Sequence, residues 1–322
     1  MKRLAVAVAT LASLVLAEFA LAQNYPERTI TLINPYAAGG PADLLARTIA
    51  SGISETLGRP VVVENKPGAG TAIGAAYVAR AKPDGYMLFI GGSPSHVVAP
   101  ALIKNAAYDG IKDFTFIATV ASVPNVLVVP AGRPVKSVAE LVAAAKAADS
   151  AMTFASVGIG SLPQFLGLLL QERADVKLVH VPYGGAAPAV IDLLSGTVDL
   201  AFLNVPPVLA HIQSGKLRAL AVANATRSER LPEVPTMAEA GYAEFEMSTW
   251  YGISAPAGTP RYVVDKLYAA IANTLKSPSV REKLALQGAE ILLKGPDEFT
   301  VYVNADAKRM LQLIQSAGMT AQ

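Results

Sequence analysis

The apolar positions of this chain fall into two alternating patterns: short runs rich in β-branched residues, and stripes that recur every three or four residues. The first pattern marks buried strands, the second helices with one core-facing side. Residues 29–34 form such a run, and a glycine-containing loop follows at 35–41. Leu45, Ile49, Ile53 and Leu57 then lay a stripe along a helix, which Gly58-Arg59-Pro60 stops. A second run at 61–64 leads through Pro67-Gly68-Ala69-Gly70 into an Ala-rich helix ending at Arg80. Asp84-Gly85 turns the chain into a strand at 86–90. Two strand–helix units in succession, each with a short glycine-rich loop, predict a doubly wound parallel start.

From residue 126 the alternation begins again. A strand at 126–129 precedes a helix at 138–147, which Ser137 caps with Glu140 completing a capping box. A strand at 153–156 runs into Val157-Gly158-Ile159-Gly160-Ser161 and a helix; another at 177–181 runs into Pro182-Tyr183-Gly184-Gly185 and a helix to Leu194. Strands at 198–203, 219–223 and 251–255 follow, and amphipathic helices at 263–275 and 299–316 close the chain. The pattern predicts an α/β fold with mainly parallel sheets in two successive blocks, hence two lobes. No repeat of solenoid period is present.

Length and composition sharpen this. At 322 residues the chain exceeds what one core usually holds, and 52% hydrophobic against 16% charged residues supplies large cores rather than disorder. The mean hydropathy of +0.39 raises a membrane reading. Outside the N-terminus, however, the apolar runs fall well short of the ~20 residues of a span. The N-terminus reads as a cleavable secretory signal: basic Met1-Lys2-Arg3, apolar residues 4–16, and Ala20-Leu21-Ala22 with cleavage after Ala22. Glu18 is its one blemish, and the absence of Cys at the cleavage point excludes a lipid anchor. Export to the periplasm follows. With no cysteine at all there is no disulfide, thiolate metal site or Cys nucleophile. The formal charge of +2, about +1 after the leader, comes without any basic run, so nucleic acid is not an expected partner.

Catalytic and cofactor signatures are weak. His96, His180 and His211 are scattered and form no ligand cluster, so no metal is expected. Gly91-Gly92-Ser93-Pro94-Ser95 ends in serine where a nucleophile elbow ends in glycine, and reads as a turn after a strand. A secreted hydrolase using Ser93 or Ser95 is the weakest reading. In the stretch Gly68-Ala69-Gly70-Thr71-Ala72-Ile73-Gly74 the third glycine comes one residue late for dinucleotide binding, and no acidic residue follows at the right place. No cofactor is expected. There remain three glycine-rich loops, at Tyr36-Ala37-Ala38-Gly39-Gly40, 157–161 and Tyr183-Gly184-Gly185-Ala186. Small residues there admit a ligand to the backbone, and the helix starts offer free N–H groups and partial positive charge. A carboxylate can be held this way without Arg or Lys.

The wording of these loops carries a resemblance. Tyr25-Pro26-Glu27-Arg28, Asn34-Pro35-Tyr36-Ala37-Ala38-Gly39-Gly40-Pro41-Ala42-Asp43 with Arg47, and Val63-Glu64-Asn65-Lys66-Pro67-Gly68-Ala69-Gly70 resemble the opening of the tripartite tricarboxylate transporter substrate-binding proteins, the Bug-type receptors. Pro83-Asp84-Gly85-Tyr86, His180-Val181-Pro182-Tyr183, Ser214-Gly215-Lys216-Leu217-Arg218-Ala219-Leu220-Ala221, Pro232-Glu233-Val234-Pro235-Thr236 and Ala255-Pro256-Ala257-Gly258-Thr259-Pro260 extend it in order along the mature chain.

The resemblance implies a periplasmic-binding-protein-like α/β fold of two lobes with a ligand cleft between them. Residues 23–123 plus 250–322 would form the first lobe and 124–249 the second, after a signal peptide at 1–22. It implies a small di-, tri- or aromatic carboxylate as ligand, lobe closure on binding, and delivery by a monomeric receptor to the large and small integral membrane permease subunits. An orphan receptor that signals to a sensor protein is the alternative. Ligand-binding residues implied in the first lobe are Tyr36, Ala38, Gly39, Gly40, Asp43, Ser93 and Pro94. In the second they are Ser156, Gly158, Gly160, Ser161, Gln164, Tyr183 and Asn204. Departures from the family pattern are Ala42 for Thr or Ser, Gln164 for a frequent His, Gly184 for a longer residue, and Tyr36 and Asn34 for Phe and Val. They imply an altered ligand, bulkier or aromatic.

Overall fold

The computed structural model describes residues 25–316 and 318–321, so the leader and its cleavage site lie outside the described residues. Its first elements are β1 (Ile30–Asn34), α1 (Pro41–Leu57), β2 (Val61–Asn65), α2 (Ala72–Ala79), β3 (Met87–Gly91), α3 (Ala99–Leu102) and β4 (Phe114–Val123). There follow β5 (Asn125–Pro130), α4 (Val138–Ala147), β6 (Met152–Ser156), α5 (Leu162–Ala174), β7 (Leu178–Pro182), α6 (Ala186–Ser195), β8 (Leu200–Asn204), α7 (Val205–Gln213) and β9 (Leu217–Val222). The chain ends with β10 (Thr249–Pro256), α8 (Arg261–Lys276), α9 (Pro278–Leu286), β11 (Glu290–Ile291) and α10 (Pro296–Ser316).

Two sheets organise these elements. One has the order β11-β4-β10-β3-β1-β2 and the other β7-β6-β8-β5-β9. The chain passes from the first sheet to the second at Pro124, between β4 and β5, and returns through residues 223–248 into β10.

Local chemistry explains the first units. On α1 the stripe residues Leu45, Ile49 and Ile53 are buried, packing with Ile30 and Leu32 of β1 and with Leu267 and Ile271 of α8. The helix stops where Gly58 adopts φ 64°, a left-handed cap that a side chain disfavours. At α4, Ser137 Oγ accepts from the Glu140 N–H at 3.1 Å. The Glu140 carboxylate, however, reaches the N–H of Lys136 at 2.7 Å rather than that of Ser137, so the capping box is displaced by one residue.

The sheets are mixed rather than mainly parallel. β1 pairs in parallel with β2 and β3, but β10 runs antiparallel to β3 and β4. In the second sheet β5 runs antiparallel to β8 and β9. The reason is topological: β1 and β3 end at the gap between the lobes, while β5 and β10 each enter their sheet from that gap and must run away from it. Sequence periodicity also misses β4, because a central strand flanked by β10 and β11 is buried on both faces and shows no alternation. After β3 the chain does not make a simple turn; it forms a π-helical turn at Pro94–Val98 that continues into α3. Helices α7 and α9 are likewise absent from the sequence reading.

Helix α10 belongs to both halves of the molecule. Its Phe299 and Val303 pack with Phe116 and Trp250 beside the first sheet. One turn on, Ala307, Met310, Leu313 and Ile314 join the cluster that contains Phe165 and Leu166 of α5, beside the second. Full burial of a Met, Leu or Ile side chain stabilises by roughly 1.5–3 kcal/mol, so this helix ties the lobes together.

Candidate ligand cleft

A cavity of about 760 Å³ opens between the two sheets. The first lobe contributes Pro35, Tyr36 and Ala37 from the β1–α1 loop, the 67–71 loop after β2, and Ser93 and Pro94 after β3. The second contributes Val157, Ile159, Gly160 and Ser161 with the first residues of α5, and Asn204 after β8. Residues 247–251 and four side chains of α10, namely Tyr302, Asp306, Arg309 and Met310, complete the wall. Much of the surface is apolar: Val98, Leu102, Ile103, Leu162, Met247 and Met310.

Of the expected site residues, Tyr36, Ser93, Pro94, Gly160, Ser161 and Asn204 are brought together in this wall. Ala38, Gly39, Gly40, Asp43, Ser156, Gly158, Gln164 and Tyr183 are not. Their positions have clear causes.

Asp43 faces the interior of its own lobe. Its carboxylate accepts from the Gly39 N–H at 2.9 Å, Arg47 Nε at 3.0 Å and Asn65 Nδ2 at 2.8 Å, with Asn34 Nδ2 at 3.4 Å. Burial raises its pKa, but these donors and the Arg47 charge outweigh that and hold the carboxyl well below its ordinary range. The Gly39 amide is therefore occupied by Asp43. Asn65 Nδ2 also donates to the Tyr36 carbonyl at 3.0 Å, which fixes Tyr36 at the cavity. There its ring meets Tyr251 edge-on at 6.3 Å, and burial raises both phenol pKa values, that of Tyr251 to about 12.

The second lobe braces its loop with neutral groups. Gln164 Oε1 accepts from the Gly160 N–H at 2.7 Å, which leaves its Nε2 to donate toward His180 Nδ1 at 3.4 Å. His180 then carries its proton on Nε2 and donates to Ser156 Oγ at 2.7 Å. Phe154 stacks on the imidazole at 4.9 Å, and burial lowers the His180 pKa. In this tautomer His180 cannot act as a base toward Ser156. Ser156 and Gln164 are buried beneath the loop, while Val157, Ile159, Gly160 and Ser161 reach the cavity. Gly160 has φ 78°, which strains any side chain there, and a Cβ would crowd Val98 Cγ1 at 3.3 Å. Tyr183 turns away altogether, donating its hydroxyl to Asp192 Oδ2 of α6 at 2.6 Å.

No nucleophile–base pair forms at the serines after β3. Ser95 Oγ is bonded to the backbone of Gly92, and His96 Nδ1 lies 2.7 Å from the Gly110 carbonyl. The His96 ring sits among Phe89, Phe114, Phe116 and Trp250, where burial lowers its pKa to about 4.

The sequence and fold match known receptors. The family model described as "Tripartite tricarboxylate transporter family receptor" matches residues 45–319. The chain belongs to that family. It is 38% identical to the periplasmic binding protein BugD, with a TM-score of 0.76 over 92% of this chain and 100% of that one. An R. palustris protein solved with adipate is 34% identical, TM-score 0.79, covering 92% and 100%. MatC from Rhodopseudomonas palustris, solved with bound malate, is 33% identical, TM-score 0.75, covering 90% and 100%. The receptor is thus a solute-binding protein of the two-lobed periplasmic class and not an enzyme. Among the described residues no helix is long and apolar enough to cross a membrane, and no acidic or histidine cluster could hold a metal.

Sequence reasoning missed the part of the receptor's cavity built by α10. Asp306 accepts from Trp250 Nε1 at 3.0 Å and lies 3.5 Å from an Arg309 nitrogen. A signal was present: Phe299, Val303, Asp306, Met310 and Leu313 follow one helical stripe, and an aspartate on an apolar stripe is out of place unless paired.

Proposed function

We propose that the receptor captures a small carboxylate with an apolar or aromatic body in the periplasm, closes its lobes on it, and delivers it to the large and small integral subunits of a tripartite tricarboxylate-type transporter. The observation that carries this reading is the interlobe cavity itself. Its volume of about 760 Å³ and its wall of Val98, Leu102, Ile103, Leu162, Met247 and Met310 suit a ligand with more apolar surface than a four-carbon diacid. The start of α5 lies in the wall, so its positive end favours an anion there. Tyr36, Ser93, Asn204 and Ser161 are the proposed polar contacts, Gly160 gives the ligand room to approach, and Asp43, Gln164 and Ser156 act behind them.

The proposed lobes are 23–123 plus 250–322 and 124–249, with the leader at 1–22 removed on export. Closure would pivot about the crossing at Pro124 and the entry to β10, where Asn125 Nδ2 donates to Thr249 Oγ1 at 3.2 Å. Ligand bridging favours the closed form by its differential affinity for the two forms. Calorimetry and thermal shift with a panel of aliphatic and aromatic carboxylates test the reading, and small-angle scattering tests closure. We expect stabilisation and compaction by acids with an apolar or aromatic body. Selective binding of only four-carbon diacids, or of no carboxylate, would overturn it.

A further inference from the structure

Thr71 is the residue of the cavity wall that neither the fold nor the carboxylate grip explains. It ends the 3-10 turn Ala69–Thr71 and stands immediately before α2. Four successive residues here have positive φ: Gly68 at 132°, Ala69 at 44°, Gly70 at 59° and Thr71 at 87°. That region suits glycine, and a β-branched residue in it is strained. Thr71 is only 7% exposed, and its Oγ1 is shielded and has no hydrogen-bond partner among the described residues, yet the residue lines the cavity. Strain and a desolvated hydroxyl both cost stability.

Ser93 repeats the second feature. Its Oγ is shielded and without a partner among the described residues, and it too stands in the wall. The turn that follows Ser93 packs against the turn that contains Thr71. By contrast, Ser161 in the opposite wall is satisfied internally, donating to the Gly158 carbonyl at 2.6 Å.

We propose that Thr71 and Ser93 form a subsite that reads an uncharged oxygen, a hydroxyl or keto group, carried by the carboxylate ligand. Hydroxyl side chains both donate and accept, so they match a group that does the same or only accepts. The cation among the described cavity residues, Arg309, lies 3.5 Å from Asp306 and keeps a buried Nε with no partner among the described residues, which suits the ligand's carboxylate, whereas Thr71 and Ser93 are neutral. The ligand is then a hydroxy- or keto-substituted acid rather than a plain one. This rests on the carboxylate-receptor reading.

The test uses matched acids that differ by one hydroxyl, malate with succinate and 4-hydroxyphenylacetate with phenylacetate, measured by calorimetry on the mature chain. The wild-type receptor should bind the hydroxylated member of a pair about tenfold more tightly. Thr71→Val, which keeps the shape, should erase that preference by costing the hydroxylated member about tenfold more than the plain one, while Thr71→Ser should restore it. Thr71→Gly should raise the melting temperature of the ligand-free protein and erase the preference, opposite signs that a purely structural role does not give. Equal wild-type affinity within each pair, equal losses for both members in Thr71→Val, or an unchanged or lower ligand-free melting temperature in Thr71→Gly each overturn the proposal. If no carboxylate binds the wild-type protein, the receptor reading itself fails, and the Thr71→Gly melting temperature still decides whether the strain is relieved.

Discussion

The two glycine-rich loops that reach the cavity are held from behind by networks of opposite chemistry. In the first lobe a carboxylate, Asp43, gathers donors from Gly39, Asn34, Asn65 and Arg47. In the second a neutral chain runs from Gly160 through Gln164 and His180 to Ser156. Both serve the same end, because a ligand site needs its loop fixed by a supporting shell. The difference lies in what each exposes. Asp43 is buried, ion-paired and turned from the cavity, so an arriving anion does not meet its charge. The neutral network needs no such concealment, but it depends on one histidine tautomer.

The largest effect that separates the two is removal of the carboxylate. Asp43→Ala leaves buried donors unpaired and should destabilise the receptor by about 3 kcal/mol in urea unfolding. A loss of affinity with unchanged stability would mean that Asp43 is a ligand contact after all.

Acid comes next. His96 and His180 bind protons more weakly folded than unfolded, so their contribution is complete above pH 6.5 and is lost as pH falls through the folded values, about 4 for His96. Across that window stability should fall by up to about 3 kcal/mol from His96 alone. Asp43, with its lowered pKa, should keep its contribution until the pH drops below its ordinary value of 3.8. Urea unfolding of wild-type and His180→Gln proteins between pH 7 and 4 checks this; an unchanged slope in the variant removes the role given to His180.

Smaller still, Gln164→Leu should cost about 1–2 kcal/mol and weaken carboxylate binding, because Gly160 and Ser161 lose their support. Tyr183→Phe should cost about 1 kcal/mol through the lost bond to Asp192 while leaving affinity unchanged. A fall in affinity there would return Tyr183 to the ligand contacts.

Much of this was legible in the residues. The stripe Leu45, Ile49, Ile53, the cap at Ser137, and the loops at Tyr36 and Gly160 all rest on rules that act within a dozen residues. The strand β4 was not legible, because burial on both faces erases alternation. Asp43, Gln164 and Tyr183 were expected as ligand contacts from the motifs around them, yet which way each side chain points depends on Arg47, His180 and Asp192, whose distances no spacing reveals.

The sequence by itself determined the family, the two α/β blocks and the glycine-rich strand ends, since periodicity, turn chemistry and motif wording are local properties of the chain. Only the tertiary structure decided that β5 and β10 run against their neighbours, that α10 spans both lobes, and that Thr71, Trp250, Asp306 and Arg309 share one cavity. Those facts depend on how segments far apart in the chain pack, and packing is settled by the whole molecule at once.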